Sequence, residues 1–181
     1  MQICRYLRLY GRAPDAALEG RIREMRKAAD AAFRPARVWR RFEDVAIAGG
    51  AGSQSLSKHL AGCHAVYLVC ATIGVEFDAL QRRTAATSPS DAFVLQAIGA
   101  AAIEEWTDET EEAIRRELQD GETLISRYSP GYGDYPLSAQ RNLLGLLDAS
   151  RKVGVSLTDS LLMVPSKSVS AVIGVKRDRE I

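Results

Sequence analysis

The residues best suited to chemistry in this sequence lie together in one stretch, residues 127–136, which reads RYSPGYGDYP. Two prolines and two glycines within ten residues exclude a regular helix or strand here. Gly131 and Gly133 can adopt positive φ angles, which lets another molecule approach the backbone closely. One arginine and three tyrosines on such a loop could bind a ligand that has flat and charged parts. The composition is equally consistent with a rigid turn packed by its own tyrosines.

Glu104 is a second candidate, because it continues an apolar stripe on a predicted helix. Val94, Ala97 and Ala101 recur at steps of three and four residues, as on one face of a helix. The next step of the same pattern falls on Glu104. A carboxylate on a buried face needs a charged partner or a cavity, since an uncompensated buried charge is costly. Alternatively, the buried segment ends at Ile103 and Glu104 is the first solvated residue.

Metal binding and nucleophilic catalysis receive little support from the sequence. His59, Cys63 and His64 form a metal-like cluster, but Gly62 interrupts the helix that would align them. A fourth ligand is not apparent, and these are the two histidines of the chain. No Gly-x-Ser-x-Gly motif or phosphate-binding glycine loop occurs. We therefore expect no metal site and no catalytic side chain.

Composition indicates an ordinary globular domain, with 46% hydrophobic and 26% charged residues in 181. The three cysteines show no Cys-x-x-Cys spacing, which favours a reducing compartment over a disulfide scaffold. No apolar run approaches the ~20 residues needed to cross a bilayer, and the N-terminus lacks a signal-peptide core. We expect a cytoplasmic protein whose partners include neither a membrane nor a nucleic acid.

Charge is distributed unevenly along the chain. Residues 1–41 carry eleven Arg or Lys against four acids, whereas residues 104–120 carry eight acids against two arginines. Two interpretations stay open: solvated helix faces of opposite sign, or a docking surface for a partner. Arg37, Arg40 and Arg41 are the candidate docking residues of the basic region.

The elements that position these residues indicate an α+β fold. We predict a mostly antiparallel twisted sheet flanked by helices, with one long central helix and a C-terminal β-hairpin. Residues 45–47 are either the partner or the continuation of the first strand. The predicted helices cover 14–34, 55–60, a segment through 77 and 80, 91–119 and 138–154, and the predicted strands cover 37–42, 65–72, 123–125, 161–164 and 169–173.

Burial is predicted to differ along these elements. The strand at 65–72 is almost continuously apolar, so it should be central and covered on both faces. The long helix should be buried up to Ile103 and solvated after it, where acids dominate. Residues 161–164 and 169–173 should pair with each other as the hairpin. The charged tail from Lys176 should fray, and residues 1–13 give no clear assignment.

Several motifs together resemble the activation domain of cobalamin-dependent methionine synthase, in particular a short, free-standing form of it. The loop at 127–136 carries the most specific of them, an Arg-x-x-Pro-Gly-Tyr motif. The resemblance extends over roughly residues 60–175. Its other parts are the strings LTDS at 157–160, MVP at 163–165 and SVS at 168–170.

The resemblance implies a function and its partners. Members of that family bind S-adenosylmethionine and support the reductive methylation of cob(II)alamin back to methylcobalamin. The electron comes from flavodoxin or another low-potential donor. No cobalamin-binding Asp-x-His-x-x-Gly motif occurs in this sequence, so cobalamin should arrive on a partner. That partner would be a cobalamin-dependent methyltransferase that lacks its own activation domain.

The resemblance also implies a set of ligand-binding residues. The family's arginine that holds the methionine moiety matches Arg127, and a helix glutamate near the ligand matches Glu104. The motif loop lines the ligand with its backbone and its tyrosine. The S-adenosylmethionine site implied by these matches comprises Arg127, Ser129, Pro130, Gly131, Tyr132 and Glu104.

Two features of the family have no counterpart that we can align. An N-terminal aspartate that contacts the ligand does not align with residues 1–41, and the sequence given ends at Ile181, before the family's C-terminal aromatic pair. One side of the pocket would then be open or supplied by a partner. We predict a single activation-like domain over residues 1–181, with a basic helix and strand at 1–45 and the ligand-binding core at 46–175. The alternative function is a non-catalytic module that senses S-adenosylmethionine or docks on a corrinoid protein.

Overall fold

A computed structural model of the chain describes residues 2–7, 13–49 and 52–177. None of the helices in these ranges combines the length and the apolar character that crossing a membrane requires. The elements in chain order are α1 (Gln2–Tyr6), α2 (Ala16–Ala32), β1 (Ala36–Phe42), α3 (Gln54–His59), β2 (Ala65–Thr72), α4 (Val75–Thr87), α5 (Pro89–Arg115), β3 (Glu122–Leu124), α6 (Ala139–Leu147), α7 (Ala149–Val153), β4 (Ser156–Leu157), β5 (Met163–Val164) and β6 (Ser168–Arg177).

The main sheet confirms the predicted fold class. Its four strands are antiparallel and lie in the order β1-β2-β6-β3, and β4 and β5 form a separate two-stranded hairpin. All eight residues of β2 are buried, as its apolar run predicts. Even-numbered residues such as Leu68 pack with Leu143 of α6, and odd-numbered ones such as Tyr67 pack with Ile114 of α5. The strand alternation therefore joins two helical layers through one sheet.

The long helix α5 is the predicted central helix, although its second half is more buried than expected. It begins at the predicted cap, where the Ser88 hydroxyl accepts the Asp91 N–H at 3.3 Å. The prediction that residues after Ile103 are solvated is wrong, because Thr107 and Ile114 are buried. Thr107 Oγ1 donates to the Ile103 carbonyl at 2.7 Å, so its polar group is satisfied inside the helix. The amphipathic helix thus covers the sheet, and most of its acids are exposed, among them Glu105, Glu109 and Glu112.

Three local predictions differ from the structure. Residues 45–48 form a 3₁₀ turn instead of a strand, since the Asp44 carboxylate accepts the Ala46 N–H at 2.9 Å and caps it. The predicted helix at 138–154 is divided at Asp148, which has a left-handed φ of 54°. The C-terminal hairpin exists, but β5 pairs with β4 instead of with β6. Both faces of β6 are buried, so it lies inside the main sheet between β2 and β3.

The two ends of the chain also differ from expectation where they are described. The unassigned N-terminal stretch contains α1, whose Ile3 and Tyr6 pack against the apolar cluster under α5. Lys176 and Arg177 belong to β6 and pair with β3, so this part of the predicted frayed tail is ordered sheet. The rest of that tail, residues 178–181, lies outside the described ranges.

A buried carboxylate ties the ends of several strands together. Glu122 has no exposed side-chain surface, and Arg41 donates to both its oxygens at 2.8 Å. His64 Nε2 lies 2.8 Å from Oε1, and the Gln119 N–H donates to Oε2 at 3.0 Å. These hydrogen bonds, with that from Arg41 the largest cause, hold the pKa of Glu122 well below its usual range. Because Arg41 is on β1 and Glu122 on β3, this contact links the two edges of the sheet.

Replacing Glu122 by glutamine should destabilise the fold by about 2–4 kcal/mol at pH 7, because Arg41 keeps its charge but loses its buried partner. A lowered carboxylate pKa stabilises the fold above the unfolded pKa of about 4.3, and this contribution decreases progressively as the pH falls from there through the much lower folded pKa. The gap between wild type and variant should therefore narrow at acidic pH. Urea unfolding at pH 7 and pH 4 measures both effects.

Glu43→Gln is the matched control for this prediction. Glu43 also pairs with Arg41, at 2.7 Å, but its side chain is 71% exposed. An exposed pair of this kind contributes little to stability, so the control should unfold close to wild type. If both variants unfold alike, the buried position of Glu122 has no special part in holding the sheet.

Candidate functional site

The loop at 127–136 is attached to the fold by its tyrosines. Tyr128 forms an antiparallel bridge with Val172 of β6, with N–H to carbonyl distances of 2.8 Å and 2.9 Å. Tyr135 is 1% exposed, and its hydroxyl donates to the Ala48 carbonyl at 2.5 Å. Burial raises the pKa of Tyr135 to about 12, so this hydroxyl keeps its proton. The two ends of the turn are therefore fixed independently of any ligand.

Asp134 fixes the middle of the same loop to the start of α3. Its carboxylate accepts hydrogen bonds from Ser53 Oγ at 2.6 Å, the Gln54 N–H at 2.8 Å and the Ser55 N–H at 3.0 Å. The Ser55 hydroxyl donates to it as well. These hydrogen bonds, led by that from Ser53, hold the pKa of Asp134 below its usual range. The loop thus satisfies two free N–H groups in the first turn of a helix that lies about eighty residues earlier in the chain and is capped by Ser53.

An aromatic stack covers one side of the loop. The Tyr128 ring lies 4.7 Å from the His59 ring, 6.0 Å from the Tyr132 ring and 6.2 Å from the Tyr135 ring, measured between centroids. His59 Nε2 also lies 2.7 Å from the Ser126 carbonyl oxygen. Tyr132 is 65% exposed, so the stack ends in an aromatic face that is open to solvent. The sequence allowed either a self-packed turn or an exposed binding surface, and the structure shows both features. Tyr128 and Tyr135 pack the turn, whereas Tyr132 lies at its surface.

Arg127 lies against three carboxylates of α5. Its Nη2 is 2.6 Å from Glu104, and its Nη1 is 2.7 Å from Asp108 and 2.5 Å from Glu111. Burial acts to lower the pKa of Arg127, but the hydrogen bonds with Glu111 and Asp108 outweigh it and raise the pKa above its ordinary value. One positive charge faces three negative charges, so the cluster carries a net charge of −2.

The predicted site residues are only partly brought together. Arg127 and Glu104 are in direct contact, which answers the question about Glu104: its side chain is 38% exposed and has a charged partner. Residues 129–132 follow as the turn itself, with Pro130 buried and Gly131 exposed at a φ of 94°. No finding tests their part in ligand binding, so the predicted site stays a prediction.

Sequence reasoning missed Asp108 and Glu111. The signal was present, because residues 104, 108 and 111 recur at steps of four and three and therefore lie on one helix face. Only the contact with Arg127 shows that this face meets the loop. Tyr6 also borders the cluster: burial raises its pKa, and the charge of Glu104 raises it further. Helix α1 thus contributes a phenol next to the carboxylates.

The other chemical candidates have structural partners. His64 bonds to Glu122 and His59 to the Ser126 carbonyl, and within the described ranges no group of three or more His, Cys, Asp or Glu residues is arranged to hold a metal. The cysteines described are free thiols.

Comparison with known proteins places these residues in a family. The model of the family described as "Vitamin B12 dependent methionine synthase, activation domain" matches residues 71–180, more than half of the chain. The chain belongs to this family. The match starts inside β2 and includes α5 and the loop at 127–136, while α1, α2 and β1 precede it.

Among solved structures, the crystal structure of the MetH reactivation domain bound to AdoHcy is similar to this chain. The two sequences are 25% identical over 65% of this chain and 41% of that one, with a TM-score of 0.42. The matched region is therefore less than half the length of that chain. A search of curated proteins finds no match.

A cleft of about 820 Å³ lies beside the acidic face of this activation-domain chain, and Asp108, Ile3, Arg26 and Arg37 are among its lining residues. The Arg37 guanidinium lies over the Trp106 ring at 4.4 Å from its centroid. Because Arg37 packs against Trp106, it is less available to the predicted basic docking surface.

Of the three arginines proposed for docking, one is exposed. Arg40 is exposed and lies over the Phe42 ring, at 4.8 Å from its centroid. Arg37 is partly buried, and Arg41 is engaged with Glu122. Two of the three side chains are therefore held by other residues, and the docking surface stays a prediction that rests mainly on Arg40.

Gly133→Ala should disturb the loop, because its φ is +55° and an added Cβ would lie 2.7 Å from Ser55 Oγ and 2.8 Å from Tyr128 Oη. We expect a loss of about 1–3 kcal/mol in the free energy of unfolding. The near-ultraviolet circular dichroism of the tyrosines should change as well, since Tyr128 must move.

Gly121→Ala separates the backbone effect from the clash. Gly121 has a similar φ of +75°, but an added Cβ would meet nothing within 4 Å. Gly121→Ala should lower the free energy of unfolding by about 1 kcal/mol and leave the near-ultraviolet circular dichroism of the tyrosines unchanged. Equal losses and equal spectra for the two variants would mean that the close contact at Gly133 is unimportant.

Proposed function

We propose that this chain binds S-adenosylmethionine and supports the reductive methylation of cob(II)alamin carried by a separate cobalamin-dependent methyltransferase. The observation that carries the proposal is the contact between Arg127 of the family motif and Glu104 of α5, at 2.6 Å. The family membership indicates the reaction, and the contact provides charges of both signs that a zwitterionic ligand can bind.

The charges of the Arg127 cluster suit the charged end of S-adenosylmethionine. The α-carboxylate of S-adenosylmethionine can accept two hydrogen bonds from the Arg127 guanidinium, which is the geometry that arginine favours. Its ammonium and sulfonium groups are cations, and the carboxylates of Glu104 and Asp108 can stabilise them. The side chain of Arg127 is 27% exposed and that of Asp108 is 56% exposed, so a ligand can reach both from solvent.

The turn that follows Arg127 suits the remainder of the ligand. Ser129 and Pro130 direct the chain into the turn, and Gly131 has no side chain to keep a ligand from the backbone. The exposed ring of Tyr132 offers a π face to a cation or to a flat base. Asp134 and Tyr135 hold the turn in place, which lowers the entropy lost when a ligand binds.

The chemistry of methyl transfer matches what these residues provide. A methyl group moves from a sulfonium to a cobalt nucleophile without proton transfer, so no general base is required at this site. The cobalamin on the partner supplies the nucleophile once a low-potential donor such as flavodoxin has reduced it. The residues of this chain hold the donor so that its methyl group faces outwards, and they exclude competing orientations.

We infer that residues 1–181 act as one unit, with a basic segment at 1–45 added to a core at 46–175. The support is the pairing of all seven residues of β1 with β2, which joins the N-terminal segment to the sheet of the core. Helix α2 also packs against α5 through residues such as Leu18 and Ile22 of the same apolar cluster. The N-terminal segment is therefore part of the support for α5 and its carboxylates.

Arg127→Ala should weaken S-adenosylmethionine binding by about 2–4 kcal/mol, roughly 30- to 1000-fold, because the ligand carboxylate loses a charge-assisted bidentate partner. Isothermal titration calorimetry on the purified chain measures the change. Arg127→Lys retains the positive charge but cannot bind the carboxylate bidentately. Its affinity for S-adenosylmethionine should therefore lie between those of wild type and the alanine variant. An unchanged affinity in the alanine variant would remove Arg127 from the site.

Reactivation itself should depend on this chain and on its arginine. The assay combines the chain, S-adenosylmethionine, a low-potential reductant and a cob(II)alamin-loaded methyltransferase, and follows methylcobalamin by absorbance. We expect methylation that requires the chain and falls at least tenfold with Arg127→Ala at subsaturating ligand. Binding of ligand and corrinoid protein without any methyl transfer would favour the non-catalytic sensing or docking module.

A further inference from the structure

We propose that Asp108 and Glu111 make this site selective for a positively charged sulfonium donor over the neutral thioether that remains after methyl transfer. The inference rests on the proposed function, since it assumes that the adenosyl ligand binds at Arg127. Neither residue was among the predicted ligand contacts. They would be specificity-determining residues that act through charge, and no step of the reaction passes through them.

The geometry provides more negative charge than Arg127 needs. A single carboxylate neutralises a guanidinium, and Glu104 already lies 2.6 Å from Nη2. Asp108 and Glu111 share the other nitrogen, Nη1, at 2.7 Å and 2.5 Å. Glu111 is only 16% exposed, so solvent screens its charge poorly. Three carboxylates on one arginine leave an excess that a cationic ligand can compensate.

Other nearby groups support a negative field at this place. The Tyr6 phenol has its pKa raised by burial and then by the charge of Glu104, while Arg5 and Arg127 act in the opposite direction with smaller effects. Asp108 contributes in the same direction as Glu104. Within the cluster, the charge of Glu104 thus has a larger influence on the pKa of Tyr6 than the opposite charge of Arg127.

The ligand changes its charge during the reaction, and the cluster is placed to detect that change. S-adenosylmethionine carries an ammonium, a sulfonium and a carboxylate, a net charge of +1. When the methyl leaves as a cation equivalent, both electrons of the broken bond stay on sulfur, and S-adenosylhomocysteine has a net charge of 0. A field set by Asp108 and Glu111 therefore favours the donor and weakens binding of the product, which promotes product release.

The ratio of the two affinities isolates this effect. In the ligand-free site Arg127 is occupied by its own carboxylates, so either ligand must displace them with its α-carboxylate. Removing Asp108 or Glu111 eases that displacement equally for both ligands, and the common gain cancels in the ratio. The two ligands differ by a methyl group and one charge. A change in the ratio on charge removal therefore reports on the sulfonium.

The test measures the dissociation constants of S-adenosylmethionine and S-adenosylhomocysteine by calorimetry for wild type, Asp108→Asn, Glu111→Gln and the double variant. We expect wild type to prefer S-adenosylmethionine, and each single substitution to reduce that preference about three- to fivefold at 0.1 M salt. The double variant should reduce the preference for S-adenosylmethionine over S-adenosylhomocysteine about tenfold. Glu109→Gln is the matched control: it removes an exposed acid of the same helix that lines the cleft, and the preference should stay within twofold of wild type.

A second measurement needs no substitution. Raising salt from 0.05 M to 0.5 M should weaken S-adenosylmethionine binding more than S-adenosylhomocysteine binding, because screening acts on the charged sulfonium. An affinity ratio that is unchanged by salt and by both substitutions overturns the selectivity proposal and leaves the binding function standing. Absence of binding of either ligand to the folded wild type overturns the proposed function together with this inference.

Discussion

The contact between Arg127 and the acidic face of α5 is the interaction on which the candidate site depends, because it joins two elements that are fixed by different means. Helix α5 is fixed by burial: Ile98 and Ile114 are fully buried in separate apolar clusters along it. The loop is fixed by polar contacts, chiefly the cap that Asp134 makes on α3. Neither element needs Arg127 to hold its shape. The arginine can therefore exchange its protein carboxylates for a ligand carboxylate without loss of the surrounding structure.

Helix α5 packs on the sheet, and the Glu122 contact links the two edge strands of that sheet. Arg41 crosses from the β1 edge to the β3 edge, over the Tyr67 ring at 5.9 Å from its centroid. This fixes the strand that leads directly into Arg127, three residues after β3 ends at Leu124. A buried ion pair is weak evidence for stability by itself, because the cost of desolvating both charges offsets much of their attraction. Here the pair joins β3, the strand that precedes Arg127, to the opposite edge of the sheet.

Sequence patterns predicted the parts of this structure that are local in the chain. The continuous apolar run of β2 and the Ser88 cap of α5 each act within about ten residues, and both were confirmed. Predictions failed where the partner of a residue is distant in the chain, or where several similar strands could have been the partner. Met163 and Val164 satisfy a strand pattern, but the burial of both faces of β6 decides that they pair with β4 instead. The burial of Thr107 depends on a hydrogen bond to its own helix, which hydrophobic periodicity does not register.

The site illustrates the same division. The motif loop could be recognised from its residues, and Glu104 from its place on an apolar stripe, but their contact spans 23 residues and required the fold. The family signal directs attention to the residues that a motif contains, whereas the field at the site is summed over every nearby charge. With Glu104 paired to Arg127, Asp108 and Glu111 account for the excess of two negative charges. Under the proposed function the ligand loses one positive charge during the reaction, so the summed field would act differently on its two forms. In that proposal, residues outside the motif determine which form of the ligand binds more tightly.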